Sequence, residues 1–372
     1  MPSQQPIRVA VVGFGMSATV FHLPFIRALP DKFQLKTIVE RSATKNSSKA
    51  RDAFPDVNVV TTLDEVLRDG EIDAVWILSI NDTHYDYVKA VLNAGKHAVV
   101  EKPVTPTSQE AYELAALAKE KNLVLAVYQN RRWDADFLTV KDLMRQGAFG
   151  ELSEFQSNFD RYKNEAATTK LWKEKALPGS GSAYDLGSHL IDQILDLFGP
   201  PRRVTGIVRN SRSIGLPEVA DSFLIHLHYD ATDAPGRKLP LIATARGSIL
   251  SLTNPQLRYL IKGTAGAYVK HGLDVQEDQL KAGGATAVSA KDFGIEPESA
   301  SGLLYTLENP SKPEPVRSQA GQYGQWFANV AEAIQANDPS KLVVTPEQAA
   351  LTIKIIELAT QSSLEGRTID FS

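Results

Sequence analysis

From Ile7 to about Val127 the chain alternates short apolar, β-branched runs with amphipathic stretches. The runs IRVAVVG, FQLKTIVE, VNVVTT, IDAVWILS, KHAVVE and LVLAVY read as strands, and helix-like segments separate them. That order predicts a parallel sheet covered by helices on both faces. Between Ser108 and Lys121, Tyr112, Ala115, Ala116 and Ala118 or Lys119 recur at helical spacing and predict the buried stripe. Glu113, Glu120 and Lys121 point elsewhere.

After Tyr128 the period changes. A helical stretch, FLTVKDLMRQG, leads into longer alternating runs: ELSEFQSNFDRY, FLIHLHY, LIATARGS, LRYLIKG and GLLYTLE. Alternation of this kind predicts a mostly antiparallel sheet with one solvated or partner-facing side. Residues 285–315, rich in small residues, Gly and Pro, predict loops around a short strand. Two helices close the pattern, Tyr323 to Ala336 and Thr345 to Glu365, the second opened by Thr345 and Pro346. The expected architecture is therefore α/β plus α+β. A doubly wound parallel Rossmann sheet occupies residues 1–128, and a large, mostly antiparallel open-sheet domain occupies 129–372, its C-terminal helices packing back on the first domain.

Bulk properties narrow the function classes. The 372 residues suit two lobes with a cleft, and a formal net charge of -4 offers no broad basic field for nucleic acid. With no cysteine, thiolate metal sites, disulfides and cysteine nucleophiles are excluded, so redox chemistry needs a borrowed cofactor. No apolar run approaches a membrane span and MPSQQP lacks the pattern of a secretory leader, which predicts a cytoplasmic protein without a membrane partner.

Directly after the first strand, GFGMSA places Gly13, Phe14, Gly15, Met16, Ser17 and Ala18 in a G-x-G-x-x-A turn. Gly13 permits the tight turn, Gly15 lets backbone approach a pyrophosphate, and Ala18 allows close helix–strand packing. Glu40 ends the second strand, where a carboxylate accepts from ribose hydroxyls and favours NAD. Beside it stand Arg41, Ser42 and Lys45, which suit a 2′-phosphate, so the choice between NAD and NADP stays open.

Two further stretches carry chemistry. In VVEKPVT, Pro103 ends a strand and restricts Lys102 to extended backbone, at the sheet edge where α/β folds bind ligands. In PGSGSAYDLGSHLIDQILDLFG, Leu186, Leu190, Ile194 and Leu197 follow helical spacing, and Asp185, His189 and Asp192 fall at i, i+4 and i+7. Two carboxylates flanking an imidazole fix its tautomer and raise its proton affinity, as a general base requires. His226 and His228 share a strand face, a possible metal pair, but no further ligand is placed beside them and no metal is expected. His22 and His97 show no acid/base partner and read as packing or capping residues.

GFGMSA, EKP and YDLGSH in this order resemble the glucose-fructose oxidoreductase and inositol dehydrogenase family, Gfo/Idh/MocA, over nearly the whole chain. SINDTH, NRRWDADFLTVK, FDRY and GAYVKHGLDVQEDQLKAG are similar to its branch of NADP-dependent scyllo-inositol 2-dehydrogenases, from which Glu40 departs. The resemblance implies an NAD(P)-dependent dehydrogenase or reductase acting on a cyclic polyol or sugar, and a homo-oligomer, dimer or tetramer, joined through the C-terminal sheet. It implies that Lys102, Asp185 and His189 are catalytic, with His189 the proton acceptor and Lys102 the group steadying the alkoxide or relaying its proton. Ser79, Ile80, Asn81 and His84 are implied to run beside the nicotinamide ribose, with Glu101, Lys102 and Asn130 also near the cofactor. Asn130, Arg161 and Trp172 are implied to shape the substrate pocket with Lys102, Asp185 and His189. Alternatives are an aldos-2-ulose or anhydrosugar reductase, a dihydrodiol dehydrogenase, and a sugar- or dinucleotide-sensing regulator without turnover.

Overall fold

A computed structural model describes residues 5–166, 175–233 and 237–371. The chain forms two compact units. One comprises Met1–Asn130, Gln276–Phe293 and Gln322–Ala350, and the other Arg131–Val275, Gly294–Gly321 and Leu351–Ser372.

The first unit is built on six parallel strands, β1 (Ile7–Val12), β2 (Phe33–Val39), β3 (Asn58–Val60), β4 (Ala74–Ile77), β5 (His97–Val100) and β6 (Leu125–Val127). They are the six apolar runs of the sequence. Their order, β3-β2-β1-β4-β5-β6, is that of a doubly wound Rossmann sheet. Residues facing both ways along β1, such as Val9, Ala10 and Val11, are fully buried, which requires helices on both sides. Those helices are α1 (Leu23–Ala28), α2 (Lys49–Ala53), α3 (Leu63–Leu67), α4 (His84–Asn93) and α5 (Ser108–Glu120). Thr107 and Glu110 close the N-terminus of α5 as a capping box. Its buried stripe is Ser108, Ala111, Leu114, Ala115 and Ala118, which includes the predicted Ala115 and Ala118 but neither Tyr112 nor Ala116. Tyr112, expected inside, is exposed, because Leu114 and not the amphipathic tyrosine fixes the apolar side.

In the second unit α6 (Ala135–Arg145) precedes β7 (Leu152–Asn158), and α7 (Ser188–Phe198) precedes β8 (Arg203–Arg209), β9 (Ser222–Tyr229), β10 (Leu241–Ser248), β11 (Leu257–Gly263) and β12 (Gly266–His271). Next come α8 (Gln276–Gly283) and α9 (Ala285–Val288) of the first unit, then β13 (Gly302–Thr306) and β14 (Glu314–Val316) of the second. The chain closes with α10 (Tyr323–Ala336) in the first unit, α11 (Pro346–Glu365), and β15 (Ile369–Asp370) in the second. The nine strands are ordered β14-β13-β12-β11-β7-β10-β9-β8-β15. Among the described residues only β7 and β10 of this sheet pair in parallel. Strand β9 shows the alternation plainly: Phe223, Ile225, Leu227 and Tyr229 are buried, while Leu224, His226 and His228 face the other way. Strands β8, β12, β14 and β15 are not among the expected runs: RVTGIVR and GAYVKH carry too little alternation to stand out, and the last two are only three and two residues long.

Buried polar bonds fix the helices on this sheet. Wholly buried Arg258 of β11 donates from Nε to Asp136 Oδ2 of α6 at 2.8 Å, from Nη1 to Ser157 Oγ at 2.8 Å and from Nη2 to Gln193 Oε1 of α7 at 2.9 Å. On α11, Ser362 accepts from the Gly206 amide at 2.9 Å; a side chain at Gly206 would collide with the Ala359 carbonyl.

Candidate functional site

Three loops meet beyond the carboxyl ends of β1, β4 and β5. Gly13 has φ +98°, and a Cβ there would lie 2.8 Å from the Leu78 carbonyl, so close backbone passage demands glycine. A Cβ on Gly15 would meet no atom within 4 Å, so that backbone face is open to a phosphate, and Ala18 is fully buried. Geometry here fits a dinucleotide, with Gly13, Gly15 and the helix start as the cradle. Phe14 packs edge-on against Phe54, centroids 5.9 Å apart, and Met16 is exposed at the turn.

The helix after the turn opens as a π turn, Ser17–His22, before α1. This places two side chains on one carboxylate: Ser17 Oγ donates to Glu101 Oε1, and His22 Nε2 lies 3.1 Å from the same oxygen. Glu101 Oε2 accepts the Lys102 amide at 3.0 Å. Burial opposes the Glu101 charge, but His22, Ser17 and the Lys102 cation hold its carboxyl below the ordinary range. His22 therefore has a carboxylate partner, contrary to expectation. Five residues apart, Ser17 and His22 would sit about 140° apart around an α-helix, which is why helical spacing hides the pair. His22 is fully buried, its ring centroid 4.1 Å from that of Tyr128.

The loop after β4 is tied to the same strand end. His84, fully buried at the start of α4, sets Nδ1 2.9 Å from the Pro103 carbonyl and Nε2 3.3 Å from the Ser79 carbonyl. Burial lowers its pKa, and the neutral ring directs its single N–H to the shorter contact. Ser79 Oγ lies 2.6 Å from Thr83 Oγ1, while Ile80 is exposed and Asn81 begins a 3₁₀ turn. Lys102 is half-buried, and its peptide bond to Pro103 is cis. Asn130 is buried and starts another 3₁₀ turn, Asn130–Trp133.

Glu40 does not present its carboxylate at the end of β2. Ser48 Oγ donates to Oε2 at 2.6 Å, the Ala50 amide to Oε2 at 3.0 Å and the Lys49 amide to Oε1 at 3.2 Å. Ser48 and the α2 amides hold the acid well ionised. Arg41 is exposed.

In the second unit, a π turn, Ala183–Gly187, leads into α7. Gly181 has φ +92°, and a Cβ there would lie 2.9 Å from the Ala220 carbonyl; Gly187 packs on the Phe223 ring. Asp185 lies in the π turn, half-buried, and His189 is buried in the first turn of α7. Asp192 is not a second flank to the imidazole: Arg132 takes both its oxygens. The π turn breaks helical phase between Asp185 and Asp192, and Arg132 comes from a segment that helix spacing cannot foresee. Arg161 is exposed, its guanidinium 4.9 Å from the Phe159 ring centroid, and Arg131 lies at the same distance from that ring. Trp172 lies outside the described residues. His226 Nδ1 is 2.9 Å from Thr244 Oγ1 and His228 Nε2 2.9 Å from Thr205 Oγ1. Among the described residues no three metal-ligating side chains cluster, and no helix is long and apolar enough to cross a membrane.

A Rossmann sheet with a phosphate-fitting glycine turn, followed in the chain by a mostly antiparallel open sheet, is the architecture of a dinucleotide-binding protein. The chain belongs to the Gfo/Idh/MocA oxidoreductase family. Residues 7–129 match its NAD-binding Rossmann fold and residues 141–371 its C-terminal alpha/beta domain. An oxidoreductase of Schizosaccharomyces pombe is 43% identical over 377 residues, covering 99% of each chain. The scyllo-inositol 2-dehydrogenase (NADP(+)) IolW of Bacillus subtilis is 37% identical over 364 residues, covering 98% of this chain and 95% of that one. The crystallised oxidoreductase YvaA of Bacillus subtilis superposes with a TM-score of 0.88 at 36% identity, covering 99% of both chains.

Proposed function

We propose that the protein moves a hydride between a nicotinamide dinucleotide and a secondary alcohol or ketone carbon of a cyclic polyol or sugar. The observation that carries this reading is the placement of Lys102 beyond the end of β5, next to the Glu101–His22 bond, and of Asp185 and His189 in the glycine-framed start of α7. The B. subtilis relative named as an inositol dehydrogenase supports the substrate class. When bound, the nicotinamide supplies or accepts the hydride. Oxidation also requires the hydroxyl proton to leave and the developing negative oxygen to be steadied. In this reading His189 accepts that proton, Asp185 binds substrate or orients the imidazole, and the Lys102 ammonium stabilises the oxygen. Glu101, held ionised, keeps a negative charge next to Lys102 in sequence. Arg161 and Asn130 contact the polyhydroxyl ring.

A spectrophotometric screen at 340 nm with both cofactors against inositols, aldoses and keto-sugars tests the reading. Turnover of one polyol or sugar class supports it. Cofactor binding without any absorbance change across the panel assigns the protein to sensing.

The same reading includes self-association through the uncovered face of the nine-stranded sheet, where Ile207 and Ile242 are 48% and 44% exposed in strands flanking β9. Light scattering after size exclusion tests it: a dimer or tetramer that Ile207→Lys with Ile242→Lys reduces to monomer supports this face as the contact, and a monomeric wild type removes it.

A further inference from the structure

An acid at the end of β2 ordinarily marks an NAD site, because it accepts from the ribose hydroxyls and repels a 2′-phosphate. Glu40 stands at that position, yet its hydrogen bonds run to the chain itself. Ser48 Oγ and the amides of Lys49 and Ala50 occupy both carboxylate oxygens, and Glu40 is only 7% exposed. Ser48 is held in turn, accepting the Arg51 amide at 3.0 Å.

These bonds shape the loop from Glu40 to Ser48. The Ala43 amide donates to the Glu40 carbonyl at 2.9 Å, the Thr44 amide to the Ser47 carbonyl at 2.8 Å, and Arg51 Nη1 to the Thr44 carbonyl at 3.1 Å. With the acid turned inward, Arg41, Ser42 and Lys45 face solvent. Neither Arg41 nor Lys45 pairs with a carboxylate among the described residues.

We propose that Glu40 is the anchor of this loop and takes no part in ribose recognition, and that Arg41, Ser42 and Lys45 select the cofactor bearing a 2′-phosphate, so that the protein prefers NADP(H). The chemistry is direct. A guanidinium, an ammonium and a hydroxyl supply charge-assisted donors to a phosphate, whereas a carboxylate whose lone pairs are already engaged exerts a weakened repulsion. The proposal depends on dinucleotide binding and is independent of the substrate, so a negative sugar screen leaves it intact.

Direct titration of nicotinamide fluorescence gives the dissociation constants of NADPH and NADH without turnover. The wild type is expected to bind NADPH about tenfold or more tightly than NADH. Arg41→Ala with Lys45→Ala is expected to remove that margin while leaving NADH affinity within about twofold, since only the phosphate contacts are lost. Glu40→Gln, which keeps an acceptor oxygen, is expected to lower the melting temperature and keep the NADPH/NADH ratio within about threefold of wild type. Equal or tighter binding of NADH by the wild type overturns the proposal. So does a rise of more than about tenfold in NADPH selectivity on Glu40→Gln, which would show the carboxylate acting on the nucleotide. If Glu40→Gln does not fold, Ser48→Ala decides: a lowered melting temperature with NADPH still preferred supports the anchor. An unchanged melting temperature, or tighter binding of NADH, overturns it.

Discussion

Arg132 grips Asp192 with two sides of its guanidinium, Nε 2.8 Å from Oδ2 and Nη2 2.7 Å from Oδ1, and both side chains are almost wholly withdrawn from solvent. Its remaining terminal nitrogen donates to Asp196 at 2.9 Å, and Lys141 closes on Asp196 at 2.8 Å. The pair fixes α7 against the start of α6, and α7 carries His189.

Removing Arg132 leaves the buried Asp192 charge without its counterion, and removing Asp192 leaves Arg132 with Asp196. Arg132→Met and Asp192→Asn are each expected to cost about 3–5 kcal/mol, while Arg132→Met combined with Asp192→Leu costs less. Urea denaturation of the three variants checks the order; equal losses in all three would show that the pair contributes only packing.

His22 and Glu101 are expected to behave as a unit. His22→Phe fits the aromatic surroundings of Tyr128, Trp326 and Phe327 but deprives Glu101 of a partner, and Glu101→Gln disturbs the same bond from the other side. Each loses about 1–3 kcal/mol, and the double variant loses less than the sum. A double-mutant cycle with additive losses contradicts the coupling.

Gly13→Ala forces a side chain into a positive-φ conformation 2.8 Å from a backbone carbonyl. Strain alone amounts to about 1–3 kcal/mol, and cofactor affinity falls with it because the turn must open. Isothermal titration with a dinucleotide, alongside a melting curve, measures both; unchanged affinity would place the cofactor elsewhere.

Lys102→Met and His189→Asn separate the two catalytic roles of the proposed reaction. His189→Asn is expected to lower kcat by about 10²–10⁴ and remove the limb of the pH–rate profile that belongs to the base. Lys102→Met lowers kcat while that limb persists. Near-wild-type turnover of His189→Asn across pH, with loss only in Lys102→Met, reverses the assignments.

Stability should fall on mild acidification. Burial depresses the pKa of His84 below the value of about 6.5 that it takes in an unfolded chain. Below about pH 6.5 the unfolded state binds a proton that the folded state refuses, so this contribution is complete above that pH and is lost as pH falls toward the folded value. His97, also depressed by burial, adds to the slope. His84→Asn, which can still donate to the Pro103 carbonyl, is expected to lose less stability than wild type between about pH 7.5 and about 5.5. Denaturation midpoints at both pH values test this, and parallel losses in the two proteins would remove His84 as the source.

Much of the architecture is legible because buried strands must be apolar throughout and half-buried strands must alternate. All six strands of the Rossmann sheet stand out this way, and so do β9 and β10. What escapes is decided by partners distant in sequence or by irregular helix geometry. Ala111 and Leu114 compete with Tyr112 and Ala116 for the buried side of α5 beside Ala115, and only docking against the sheet selects the first two. The role of Glu40 depends on a serine eight residues away, and that of Asp192 on an arginine sixty residues earlier. His22 joins Glu101 only because the helix opens with a widened turn. Sequence spacing presumes regular helices, and both candidate chemical elements begin with irregular ones.

The first unit closes its aromatic layer with residues from far along the chain. Phe327 stacks on Phe25 at 4.7 Å, Trp326 meets Tyr128 at 4.8 Å and donates its indole N–H to the Val127 carbonyl at 3.1 Å. During synthesis these partners leave the ribosome only after all but the last strand of the second unit's sheet has been made. The emerging N-terminal segment must wait with Phe25 and His22 uncovered, a target for chaperones and for aggregation. A fragment ending at residue 130 would remain in that unfinished state permanently, so the dinucleotide-binding half cannot be obtained by cutting the chain where its last strand ends.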